Sequence, residues 1–112
     1  MKKYFVIGNP INHSLSPEIH NHWIKKNKIN AIYEKKQINK IDIKNIINQV
    51  REGIIEGLNV TVPFKQMVIP FLDNLTLEAE KSQSVNTIYK EGNKIFGHNT
   101  DIGGFELALR NI

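Results

Sequence analysis

A chain of 112 residues, 40% hydrophobic and 23% charged, has the size and make-up of one soluble globular domain with a modest core. No apolar run reaches the length of a membrane span, the start MKKYFVIGNP turns polar after a few apolar residues, and the lack of cysteine excludes disulfides and thiolate metal sites, so a cytoplasmic protein without a signal peptide is expected. The net charge of +4 raises nucleic acid as a partner, but thirteen of the fifteen basic residues are lysines scattered singly or in pairs, and the charge reads as composition; neither nucleic acid nor a membrane is expected to bind.

Tyr4 to Ile7 predicts a buried strand, followed by the loop GNPINHSLSPEIHN, which Pro10 and Pro17 keep out of regular structure. Ser16-Pro17-Glu18 combines an N-cap type, a first-turn proline and a first-turn acid, predicting a helix to about Asn27 with Ile19, Trp23 and Ile24 on one face. AIYEKKQI (31–38) predicts a strand, and DIKNIINQVRE (42–52) a helix with Ile43, Ile46, Ile47 and Val50 in helical register. GLNVTV reads as a strand, and Pro63 as the start of a helix through FKQMVIPFLD that Pro70 bends or ends. LTLEAEKSQ predicts a short helix, and SVNTIYKEGNKIFGHNT two strands joined at Glu91-Gly92-Asn93. DIGGFELALRNI predicts a last helix. Strands alternate with helices through the first half, which places the chain in the α/β class with a mixed sheet.

The opening loop and three others, NVTVPFK (59–65), SVNT (84–87) and GHNTD (97–101), lie at element ends. They supply Ser14, Ser16, Asn59, Thr61, Asn86, Thr87, Asn99 and Thr100, a set suited to a small ligand rich in hydroxyls and carrying an acid group. Ser14 lies two residues ahead of a helix N-terminus, where a hydroxyl completes a carboxylate site made by exposed backbone N–H groups. Ser16 is equally an N-cap, and Asn59 and Thr61 equally the exposed face of a strand. His13, His20 and His22 lack the further ligands of a metal site, so no metal is expected. With Pro63 opening a helix, Lys65 falls in its first turn among Val62, Phe64, Met67 and Val68. There the macrodipole and apolar neighbours disfavour its positive charge, which marks Lys65 for acid–base chemistry; the alternative is a surface lysine lying along the helix. Asp101 is its natural counter-ion, or a residue capping the last helix.

These residues carry a resemblance. Gly8-x-Pro10-x-x-His13-Ser14-x-Ser16-Pro17-x-x-His20-Asn21, Asn59-Val60-Thr61-x-Pro63-x-Lys65, Val85-Asn86-Thr87 and Gly97-x-Asn99-Thr100-Asp101-x-x-Gly104 resemble, in order and over nearly the whole chain, the N-terminal substrate-binding domain of the shikimate dehydrogenases. The expected fold is then a three-layer α/β/α domain around a mixed, mostly parallel sheet of five to six strands. The resemblance implies reduction of 3-dehydroshikimate to shikimate with NADPH, in the pathway to aromatic amino acids. Ser14 and Ser16 would hold the carboxylate, and Asn59, Thr61, Asn86 and Asp101 the ring hydroxyls. Lys65 would be the general acid and Asp101 would orient both it and the substrate. Gln83-Ser84 stands where many members have Gly-Ala, which puts the local backbone path in question. No GxGxxG occurs in residues 1–112, so NADP(H) is expected to bind a Rossmann domain absent from this chain, and the fragment alone is expected to be inactive. A non-catalytic module binding shikimate-like acids, and a domain of a quinate/shikimate dehydrogenase, are the alternatives.

Overall fold

The computed structural model describes residues 1–11 and 16–100. Strand β1 (Lys2–Gly8) is apolar on both sides: Tyr4 and Val6 join the core on one face of the sheet, Phe5 and Ile7 the core on the other. A strand buried on both faces belongs inside a sheet, and β1 pairs in parallel on either side, with β2 (Ala31–Gln37) and β3 (Gly57–Val60). β3 runs antiparallel to β5 (Thr87–Glu91), β5 antiparallel to β6 (Lys94–His98), and β6 parallel to the two-residue β4 (Asn74–Leu75). The order is β2-β1-β3-β5-β6-β4, a mixed sheet of six strands within the expected range.

Winding reverses at β1, with β2 on one side and β3 on the other, so right-handed crossovers put the two connecting helices on opposite faces. Helix α1 (Ser16–Lys26) covers β1 and β2, and α2 (Ile43–Arg51) packs over β5 and β6 on the other face, joined there by Ala79 of α3 (Leu77–Ser82). In α2 the residues Ile43, Ile46, Ile47 and Val50 are all buried, the i, i+3, i+4, i+7 stripe of a helix lying on a sheet. Each is worth about 1.5–3 kcal/mol of burial. Truncating Ile47, 1% exposed, to alanine would cost about 2–5 kcal/mol through lost transfer energy and the cavity left behind.

The buried face of helix α1 is turned from the one its apolar residues predict, keeping Ile24 inside and Trp23 half-buried but not Ile19. Ile19 is exposed, whereas His20 and Ile24, one turn apart, are buried. The His20 ring stacks on Tyr33 of β2, 4.0 Å between centroids. Beside it, Asn21 Nδ2 donates to the Tyr33 carbonyl (2.6 Å) and Asn21 Oδ1 accepts from the Tyr33 N–H (2.8 Å). The docking of α1 is therefore set by these two polar residues and by Ile24.

The helix expected after Pro63 does not form. Residues 62–68 make turns, followed by a single 3₁₀ turn at Ile69–Phe71. Pro63 and Pro70 each remove a backbone donor, and the chain between them closes isolated turns in place of a helix. The chain turns at the cis Val62–Pro63 bond, closed by Phe64 N–H to the Thr61 carbonyl, and is anchored by buried Phe64 and Val68. At the β5–β6 hairpin Glu91 faces Lys94 across a two-residue loop, and Gly92 supplies the positive φ (62°) this loop needs. Thr76 caps α3 by accepting from the Ala79 N–H, and Gln83 ends it in the left-handed region. The last predicted helix lies outside the described residues. Among those described, no helix is long and apolar enough to cross a membrane.

Candidate functional site

β1 and β3 are parallel neighbours, and their carboxyl ends lie where the winding reverses, the place where open α/β sheets hold ligands. Backbone hydrogen bonds draw three further segments to this edge. Thr61 N–H donates to the Ile7 carbonyl (2.9 Å) and Asn9 N–H to the Val62 carbonyl (3.1 Å), tying the β1 end to the β3 end. Val60 N–H donates to the Asn86 carbonyl (2.8 Å), Asn86 N–H to His98 (3.0 Å) and Val85 N–H to the Lys65 carbonyl (2.8 Å). Gly8 permits the closest of these approaches, since a Cβ there would stand 2.5 Å from Thr61 Cγ2 and 3.1 Å from the Val62 carbonyl oxygen.

The structure thus brings Asn59, Thr61, Lys65, Asn86, Thr87, Asn99 and Thr100 to one end of the sheet, although they lie in three separate stretches of sequence. Ser14 and Asp101 lie outside the described residues, and of Ser16 only the backbone is described, as the first residue of α1. Lys65 is half-buried in the 62–68 turns, not in a helix, so the helix-dipole argument for it fails. What distinguishes it is its fixed place, through its own carbonyl, beside the Val85-Asn86-Thr87 segment.

Asn59 is held between a backbone carbonyl and two side-chain hydroxyls, Asn86 between the carbonyl and N–H of Thr100. Asn59 Nδ2 donates to the Asn86 carbonyl and to Thr87 Oγ1, both at 3.2 Å, and its Oδ1 accepts from the Tyr33 hydroxyl (2.7 Å). One lone pair on Oδ1 is left for a ligand hydroxyl. Asn86 Nδ2 donates to the Thr100 carbonyl (3.0 Å), while its Oδ1 accepts from the Thr100 N–H (3.1 Å) and the Thr87 hydroxyl (3.1 Å). Asn99 Nδ2 donates in turn to Ser82 Oγ (2.9 Å) at the end of α3. Asn86 therefore sets the path of the 99–100 loop, and Asn59 sets Asn86. For Asn59 the strand-face reading gains little: its side chain is half-buried and bonded on both sides of its amide.

Sequence reasoning missed Tyr33. A tyrosine on the buried face of a strand must find a partner for its hydroxyl, and that was the available signal. Burial raises its pKa, and burial followed by the charge of Glu56 pushes the Tyr4 phenol up to about 12, so both stay protonated. Burial lowers the His20 pKa to about 4, which keeps the stacked ring neutral. Among the described residues no cluster of His, Cys, Asp and Glu could hold a metal ion.

Residues 6–88 match the family described as the shikimate dehydrogenase substrate binding domain. The chain is 64% identical over 110 residues to the shikimate dehydrogenase (NADP(+)) of Pelagibacter ubique, covering 97% of this chain and 42% of that protein. It is 47% identical to that of Pyrococcus furiosus, covering 96% and 40%. Among solved structures it superposes on the Thermus thermophilus shikimate 5-dehydrogenase in complex with NADP(H) and shikimate, with a TM-score of 0.84 and 32% identity over 98% of this chain and 42% of that one. The chain thus spans about two fifths of the length of the curated relatives it matches. By the matched span, the motifs and the superposition together, the chain belongs to the shikimate dehydrogenase family, as its substrate-binding domain.

Proposed function

We propose that this domain binds 3-dehydroshikimate and shikimate, and that it serves an NADP-dependent shikimate dehydrogenase of aromatic amino acid biosynthesis in the cytoplasm. The observation that carries the reading is the convergence of Thr61, the Lys65 turn, Asn86 and the 99–100 loop at the carboxyl edge of β1 and β3.

The residues divide the substrate by its chemistry. Ser16, the first residue of α1, and Ser14, two positions ahead of it in sequence, receive the carboxylate, since N–H groups without intrahelical partners at a helix start favour an anion. Thr61, Asn86 and Asp101 take the ring hydroxyls, and Asn59 adds its remaining lone pair. In reduction Lys65 gives a proton to the ketone oxygen, which becomes the new hydroxyl, and in oxidation it takes that proton back; Asp101 orients both partners. The hydrogen-bonded turn around Lys65, anchored by Phe64 and Val68, serves this step, because proton transfer requires the ammonium group within hydrogen-bond reach of one oxygen.

NADP(H) supplies the hydride in such an enzyme. The turn after β1 does not form a cradle for its phosphates: Pro10 offers no N–H there, and the space over Gly8 is filled by the Thr61 methyl and the Val62 carbonyl. The cofactor is accordingly assigned to polypeptide outside residues 1–112.

Titrating the ¹⁵N-labelled chain with shikimate, and separately with NADPH, tests the reading. Shikimate is expected to bind with a Kd on the order of millimolar, about 4 kcal/mol, and to move the amides of Thr61, Lys65, Asn86 and Thr100. NADPH is expected to leave them in place. Saturable shifts that avoid these residues, or no shikimate binding at tens of millimolar, would overturn the assignment.

A further inference from the structure

The hydrogen bonds that converge on Asn86 have a fixed direction. The carbonyl of Asn86 can only accept, so the amide nitrogen of Asn59 must face it, and Asn59 Oδ1 must face Tyr33. The Tyr33 hydroxyl is therefore the donor of that bond. At the other end, the Thr100 carbonyl can only accept and the Thr100 N–H can only donate, which orients the Asn86 amide without ambiguity. Between these anchors the Thr87 hydroxyl accepts from Asn59 Nδ2 and has its single proton for Asn86 Oδ1. Tyr33 to Asn59, Asn59 to Thr87 and Thr87 to Asn86 form one run of donors, each bond polarising the next.

We propose that Tyr33 is a positioning residue of the site: its hydroxyl, acting through Asn59 and Thr87, sets the amide of Asn86 and thereby the 99–100 loop, the groups that face a hydroxylated ligand. The inference rests on the proposed function for the nature of the ligand but not for the coupling itself. Tyr33 is suited to the task because it is almost wholly buried and its ring is fixed by stacking on His20. Its backbone is clamped by Asn21, so the hydroxyl approaches Asn59 from a fixed point. Burial also keeps the phenol protonated, as a permanent donor.

Tyr33→Phe keeps the ring and its stacking and removes only the donor. In ligand-free spectra of the ¹⁵N-labelled chain, the Asn86 side-chain amide and the Thr100 backbone amide are expected to shift with those of Asn59. Thr87→Val, which keeps the shape and removes the second and third bonds of the run, is expected to move the same Asn86 and Thr100 signals, and adding Tyr33→Phe to it should then move them less than in the unaltered chain. Shikimate affinity is expected to fall roughly 5- to 100-fold in Tyr33→Phe, the usual size of a coupling between two linked sites. Unmoved Asn86 and Thr100 signals in Tyr33→Phe, an undiminished Tyr33→Phe effect in the Thr87→Val background, or unchanged shikimate affinity beside shifted signals would each overturn the proposal. If the unaltered chain does not bind shikimate, the substrate reading falls, and the ligand-free spectra still decide the role of Tyr33.

Discussion

His20 makes the stability of this domain depend on pH in a window that can be calculated. The side chain is 5% exposed, stacked on Tyr33, and its pKa falls from the ordinary 6.5 to about 4 because burial penalises the charged ring. The unfolded chain therefore binds a proton at His20 that the folded chain refuses. Stability from this group is complete above pH 6.5 and is lost as the pH falls towards 4, with no further loss below that. At about 1.4 kcal/mol per pKa unit, moving from pH 7.5 to pH 5.0 should remove about 2 kcal/mol, a fall in Tm on the order of 10 °C for a domain of this size. Asp73 does not intrude. Its carboxyl is held low by its hydrogen bonds from Arg51 and the Ile95 N–H, so its share is lost only below its ordinary 3.8. Urea unfolding at the two pH values, on the unaltered chain and on His20→Phe, isolates the effect, since phenylalanine keeps a stacked ring and cannot titrate. The variant should lose most of the pH dependence. An equal slope in both proteins, or an imidazole C2–H signal of His20 titrating near 6.5 in the folded state, would refute the reasoning.

In a complete enzyme joining this domain to a cofactor domain, Lys65→Ala should lower turnover by roughly 10² to 10⁴ while the fold survives, and steady-state kinetics showing a loss under threefold would remove Lys65 from the mechanism. Ser14→Ala should weaken shikimate binding by about 1.5–3 kcal/mol, the worth of a hydrogen bond to a charged group, with little change in Tm. Ser16→Ala should lower both affinity and Tm, and equal Tm losses in the two serine variants would contradict this division. Gln83 sits at φ 52° and ψ 41°, so Gln83→Gly should relieve about 1 kcal/mol of left-handed strain against about 0.5 kcal/mol for the freedom of glycine in the unfolded chain. A calorimetric Tm at or slightly above that of the unaltered protein is expected; a clear drop would mean that the bond from Gln83 Nε2 to the Glu80 carbonyl (2.6 Å) outweighs the backbone gain.

Elements whose residues repeat with a clean period were legible in the sequence. The isoleucines of α2 announce both the helix and its buried face, and the apolar run of β1 announces a strand covered on both sides. The segment after Pro63 misled because apolar spacing between two prolines imitates a helix where the chain makes separate turns. In α1 the sequence cannot show that a histidine will be chosen over Ile19 for the interior, because that choice depends on the Tyr33 ring arriving from β2. The candidate site was legible as a set of residue types at element ends, but its wiring was not. Asn59 and Asn86 look alike as short amides in loops, and only the sheet register places the carbonyl of one against the nitrogen of the other. The structure replaces the helix-dipole reason for attending to Lys65 with the bond between its carbonyl and Val85. The Gln83-Ser84 departure proves local: α3 ends there in the left-handed turn that glycine would favour, and the chain still delivers Asn86 to the sheet edge.

A strand at the margin of a sheet offers its outward N–H and C=O groups to any extended chain that comes near, and a lone polar side chain can deny that offer. Asn21, reaching across from α1, bonds the Tyr33 N–H and carbonyl of β2 as a neighbouring strand would, while Glu34, Lys35, Lys36 and Gln37 further along β2 are exposed and mostly charged. At the opposite margin β4 is only two residues long, too little to template a partner. Among the described residues, the sheet thus discourages a further strand at its two margins by different means, a bonded and charged edge at β2 and a very short one at β4.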